Sequence, residues 1–228
     1  MISRFPAQFS TTIYLLLAMI CSGIEAQPSN RLVVDQPVQW NAISSNVKLT
    51  PRTTLFLDAQ LRFVAAPDNF KAAEPMQHQL RAHLDFVLKG KLTFAPVGYV
   101  NVWNYVYGKQ PASFLNNEHR LYQQLAFSHK WGKATVSHRL RSEERFIQDH
   151  AQDGSNLGYI NKQFRLRYRL MMNYPLGHEK IEPGVFFAST YYEGFLSRGE
   201  RITFHDIDQN RLYLGIGHQI TKNLNINA

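Results

Sequence analysis

Arginine recurs at every second position in two stretches of the chain: Arg139, Arg141 and Arg145, with Glu143 in the remaining place, and then Arg165, Arg167 and Arg169. A two-residue step puts such side chains on one face of an extended strand, where guanidinium forks pair with carboxylates or hold anions. If the two stretches lie side by side, several guanidiniums come within reach of one another. That is unfavourable unless carboxylates or anions separate them. The carboxylates available are Asp58, Asp85, Glu118, Glu143 and Glu193, and Arg62, Arg81, Arg120 and Arg211 extend the same charged face. Two outcomes stay open: a charge network that fills a narrow lumen and conducts nothing, and an anion-selective lumen or site for an anionic solute.

Nucleophilic catalysis would need a hydroxyl or thiol beside a base and an acid. Ser137 precedes His138, Ser128 precedes His129, and Glu118 precedes His119. Neighbours on a strand point to opposite faces, so none of these pairs is a dyad. His83 and Asp85 share a face but have no obvious serine partner. No metal-ligand spacing, phosphate loop or nucleotide fingerprint appears, and Gly215 and Gly217, alternating within a strand, mark room for a bulky neighbour or a kink. The residues therefore predict no enzyme, no cofactor and no metal.

The elements that must position these side chains are strands. At residues 55–63, Leu55, Leu57, Ala59, Leu61 and Phe63 alternate with Phe56, Asp58, Gln60 and Arg62. The same two-residue period runs through 79–88, 164–174 and 211–220, and more weakly through 39–49, 92–103, 118–129, 134–146, 184–193 and 224–228. Such alternation makes two-faced antiparallel strands, and most of these stretches are near the roughly 9–11 residues with which a tilted strand crosses a membrane. The longest unbroken apolar run, residues 13–21, is too short for a spanning helix.

That run belongs to a leader. Arg4, the apolar centre at 13–20 and the stretch ending at Ala26 resemble a secretory signal peptide, which assigns residues 1–26 to the signal and 27–228 to a single β-barrel domain. Lipidation at Cys21 is disfavoured because Ile20, not a small residue, precedes it. Cleavage removes the chain's one Cys, so the exported domain gains its stability from strand pairing and burial without disulfides. The net charge of +8 raises nucleic acid as a partner, but the basic residues are spread over strands and interleaved with an apolar face, which argues against it.

Connections alternate in length: short turns at 50–52, 89–90, 130–132 and 221–223, and long polar stretches at 65–76, 104–117, 147–163 and 194–209. Tight turns on one rim and loops on the other are the habit of transmembrane barrels. Aromatics near strand ends, Trp40, Trp103, Tyr105, Trp131, Phe146, Tyr174, Tyr191 and Tyr192, stand where interfacial girdles belong. With periplasmic turns the first strand would descend, so either a further ascending segment lies in 31–38 or the sidedness is reversed. The last strand begins at Leu224 and runs only to Ala228, so a closing strand or strands are expected to be missing from this chain.

Residues 117–125 (Asn-Glu-His-Arg followed by Leu-Tyr-Gln-Gln-Leu) and 139–146, with its R-x-R-x-E-x-R spacing, carry a resemblance. Together with Gly98-Tyr99, the Arg165–Arg169 series and Gln209-Asn210-Arg211, they resemble the bacterial domain-of-unknown-function family 2490 over residues 40–228. Membership would imply a predicted outer-membrane barrel of Bacteroidota-like, Gram-negative bacteria with no established biochemical role.

The expected protein is thus all-β, an antiparallel up-and-down transmembrane β-barrel of about ten to twelve strands in the bacterial outer membrane, structural or pore-like, with membrane lipid as its surroundings. The alternatives are a soluble periplasmic barrel or sandwich that binds a ligand, with the same alternation turned inside out, and a lipid-modifying outer-membrane enzyme.

Overall fold

The computed structural model of the chain describes residues 37–66, 69–107, 113–199 and 207–228; the segment read as a signal peptide lies outside them. They form β1 (Val38–Thr50), β2 (Thr53–Ala66), β3 (Asn69–Lys89), β4 (Leu92–Asn104), β5 (Asn116–Trp131), β6 (Ala134–His150), β7 (Asn156–Pro175), β8 (Phe186–Arg198), β9 (Ile207–Gln219) and β10 (Asn225–Asn227), and among the described residues no helix. Each strand pairs antiparallel with its chain neighbours, in the order β1 to β10. The meander curls into a half-barrel, bringing the Arg211 guanidinium of β9 to 5.3 Å from the Trp40 ring of β1. The two ends of the order, β1 and β10, share no ladder, so the barrel is incomplete.

Local sequence explains the tight rim. β3 and β4 are joined by Gly90-Lys91 and β5 and β6 by Gly132-Lys133, each glycine with a φ of 57°. A two-residue hairpin with glycine first turns the chain in the sense that matches strand twist. In β4 the pairing skips an extra residue around Pro96, with His83 opposite Gly98 but Phe86 opposite Phe94. Proline has no N–H to give the ladder, and a bulge is where a strand tolerates it.

The long polar stretches need correcting. β3 starts at Asn69, β6 reaches His150, β7 starts at Asn156 and β8 runs to Arg198, so much of what reads as loop is strand. Beyond the apolar band polar residues such as Gln148, Asp149 and Asn156 fall on both faces among the apolar ones, and the two-residue period fades although the ladder continues.

The two faces differ sharply in polarity. Ile43, Leu212 and Leu214 on the convex side are 79%, 72% and 73% exposed, whereas Glu118, Arg141 and Glu143 on the concave side are 1% exposed. A small apolar cluster, Val100, Val102 and Tyr122, packs on the concave side of β4 and β5. Of the aromatics assigned to girdles, Trp40 and Tyr191 instead face the interior and line its cavity. Strand parity, set by pairing, carries them inward with Arg62 and Glu193.

Candidate functional site: an arginine-lined interior

Register assembles the charged band. β6 and β7 set Arg139 against Arg169, Arg141 against Arg167 and Glu143 against Arg165. β7 to β9 continue the row with Arg169 opposite Glu193 and Glu193 opposite Arg211. On the other side, Arg120 faces Arg145, Gln124 faces Arg141, and Asp58 faces Arg81. The hairpin of arginines that the sequence implies is therefore formed, and carboxylates hold most of its members, Arg169 excepted.

Each carboxylate serves as a clamp. Glu118 accepts from Arg120 Nε and Nη2 at 2.8 and 2.9 Å, and from Arg145 through Nη2 at 3.0 Å and through Nε. Glu193 Oε1 accepts from Arg139 Nη2 at 2.5 Å and from Arg167 Nε and Nη2 at 3.2 and 3.0 Å. Glu143 accepts from Arg167 Nη1 at 2.6 Å, with Arg141 Nη1 at 3.6 Å. Asp58 accepts from the Ser44 hydroxyl and the Gln60 amide at 2.7 and 2.8 Å and lies 3.7 Å from Arg81. Buried charges are tolerable only when paired and hydrogen-bonded in this way.

Other interior contacts use neutral partners. Arg141 donates from Nε and Nη2 to Gln124 at 3.1 and 2.6 Å and lies 4.2 Å over the Tyr122 ring. Arg165 donates to the Ser197 hydroxyl at 3.0 Å, and Arg145 also donates to Gln163. Arg167 and Arg211 sit 4.6 and 4.8 Å from the Phe195 ring. Arg62, Arg169 and Arg211 pair with no carboxylate among the described residues. The interior is thus richer in arginine than in acid, and it lines a half-open cavity of about 990 Å³.

His83 and Asp85 do meet, Nε2 to Oδ2 at 3.0 Å, and the other ring nitrogen of His83 lies 2.6 Å from the Tyr122 hydroxyl. Tyr122 escapes a sequence search for hydroxyl partners limited to serine, although its place between Arg120 and Gln124 gives it the inward parity. Trp40, Gln124 and Phe195 are other interior contributors not found by charge alone; two-residue steps from Arg120 and Glu193 reach Gln124 and Phe195, whereas Trp40 is placed by its pairing with Arg62 on the next strand. Among the described residues no three of His, Cys, Asp and Glu converge as a metal site.

The model of the family described as Protein of unknown function (DUF2490) matches residues 39–228. No curated protein and no solved structure matches the chain.

Proposed function

The chain belongs to the DUF2490 family of proteins of unknown function, and from that premise we propose that it is an outer-membrane β-barrel protein, exported by a signal peptide at residues 1–26, whose arginine-lined interior serves as a structural or pore-like lumen. The observation that carries this is the inverted polarity of the sheet: leucine and isoleucine outside, buried Arg–Glu clamps inside. In water such an arrangement forgoes the hydrophobic stabilisation that burying those side chains would supply, about 25 cal/mol per Å². Against hydrocarbon the same arrangement is favourable on both faces.

The dimensions agree. The outward apolar series on β2 runs from Leu55 to Phe63 and on β3 from Leu80 to Leu88. At roughly 3.3 Å per residue each covers about 30 Å of strand, and a barrel tilt of about 40° reduces that to about 23 Å, close to the ~25 Å apolar band of outer-membrane barrels. Trp131 and Phe186 border the series at the rim of short turns, and Asn101, His119 and Tyr159 end it at the other. Tyrosine, tryptophan and histidine at such heights suit a headgroup region.

Heat-modifiable migration on a denaturing gel, together with partition between aqueous and detergent phases, tests the proposal. The full product should enter the detergent phase and migrate faster unboiled than boiled. A chain that stays in the aqueous phase without surfactant is not a membrane barrel.

A further inference from the structure

Arg62 belongs to β2 and Arg211 to β9, far apart in the order of the sheet, yet the curl brings both to one ring. The Arg62 guanidinium carbon lies 3.8 Å from the Trp40 centroid and that of Arg211 5.3 Å from it. Neither makes an ion pair with a described carboxylate, although Glu193 lies across the ladder from Arg211; Arg62 donates only to Gln60 at 3.4 Å and Arg211 only to Gln209 at 3.1 Å. Arg62 Nε is buried with no hydrogen-bond partner among the described residues. Arg169, which shares Glu193 as a cross-strand neighbour with Arg211, stacks 5.5 Å from Tyr191 and donates no hydrogen bond to a described residue.

A guanidinium lying on an aromatic ring offers the ring its face and keeps its in-plane N–H groups for another acceptor. Two such cations converging in a partly enclosed space repel each other, and a bound anion turns that repulsion into attraction. One carboxylate can take two forks, as Glu118 does from Arg120 and Arg145, but it carries a single negative charge against two guanidiniums. A phosphate presents enough oxygens to take forks from two arginines at once and carries the charge to balance both. Trp40, Arg62 and Arg211 all line the half-open interior cavity of about 990 Å³, which leaves room beside them for a small solute.

We infer that Trp40, Arg62 and Arg211 form a binding site for a phosphate group, free or carried as a monoester, with Arg169 as a third cation beside it. The inference rests on the arginine-lined interior of the proposed barrel and needs no conduction through it.

Trp40 is itself the reporter. The chain has three tryptophans, so Trp103→Phe with Trp131→Phe leaves Trp40 alone. The full chain in a sugar-headgroup detergent is titrated with inorganic phosphate at constant ionic strength in chloride, and in parallel with glycerol phosphate and with phosphatidic acid vesicles. Saturable change in Trp40 emission is expected, weakened about tenfold or more by Arg62→Gln or Arg211→Gln, partly restored in Arg62→Lys, and untouched by Arg52→Gln in the β1–β2 turn. Response to the two soluble phosphates assigns a solute, and response to the vesicles alone assigns a lipid headgroup; both support the site. No saturation by any of the three, or saturation indifferent to both glutamine variants in protein whose circular dichroism matches the parent, overturns it. Detergent partition of the same samples separates the two proposals. Phosphate binding by a chain that stays in water leaves the site standing without the membrane barrel, and a detergent-partitioning chain blind to phosphate does the reverse.

Discussion

Tyr122 lies flat against Gly98. A β-carbon on Gly98 would sit 2.2 Å from Cζ of the tyrosine ring, which occupies the space a side chain on β4 would fill. Because β4 presents nothing there, Tyr122 of β5 crosses over it to reach His83 on β3, its hydroxyl 2.6 Å from Nδ1, while Asp85 holds the other ring nitrogen at 3.0 Å. Arg141 lies over the ring at 4.2 Å. Three strands are tied by one side chain, beside the bulge at Pro96 where the ladder is weakest.

Gly98→Ala should therefore displace Tyr122 and destabilise the sheet by about 1–3 kcal/mol. Tyr122→Phe, which keeps the ring and removes the hydroxyl, should cost about 1–2 kcal/mol, the value of one buried hydrogen bond. Urea unfolding of the two variants in detergent checks the order; an alanine variant as stable as the parent would show that the ring is free to move.

The Glu118 clamp predicts a larger effect. Glu118→Gln leaves the guanidiniums of Arg120 and Arg145 buried without their carboxylate, a loss of about 3–5 kcal/mol. The exposed Lys133–Glu179 pair, at 2.6 Å, is the contrast, since solvent screens it and Lys133→Ala should leave the unfolding midpoint where it was. Equal shifts for the two variants would mean that the interior is as wet as the surface.

All ten strands were readable as two-residue alternation because one face is apolar wherever the sheet has its band. The extensions of β6 and β7 past that band were not, because residues such as Gln148, Asp149 and Asn156 are polar on both faces. Alternation also gives which charged residues share a face, but not which acid holds which arginine. Glu118 takes Arg120 from its own strand and Arg145 from the next, whereas Glu193 reaches Arg139 two strands away. Those choices depend on register and on side-chain reach. The meeting of Trp40 with Arg211 depends on curvature, which no local pattern encodes.

Charge on the convex face distinguishes hydrocarbon from water. Leu84, midway along the apolar series of β3, points outward, and Leu84→Arg should lower the stability of the membrane-inserted protein by about 2–4 kcal/mol. If water instead bathes the convex face of this fold, Leu84 is already solvent-exposed and the same change would be nearly neutral. Reversible folding into lipid vesicles gives the number, and lipid-phase crosslinkers at Leu57, Leu84 and Leu170 should label in the same samples.

Arg167 and Arg141 face each other's strands but hold different partners, and conductance should tell them apart. Arg167 joins Glu143 to Glu193, so Arg167→Ala removes one positive charge and takes a partner from two carboxylates, leaving Glu193 to Arg139 and Glu143 to the more distant Arg141. Arg141 leans chiefly on the neutral Gln124, so Arg141→Ala removes a charge and frees little negative potential. With arginine in excess, an open interior should prefer anions, and the reversal potential in a KCl gradient across a planar bilayer should move toward cation preference more in Arg167→Ala than in Arg141→Ala. If the parent is silent and both variants stay silent, the clamps seal the lumen and the barrel is structural. Equal shifts in the two variants would instead place the selectivity elsewhere than at the Glu143–Arg167–Glu193 bridge.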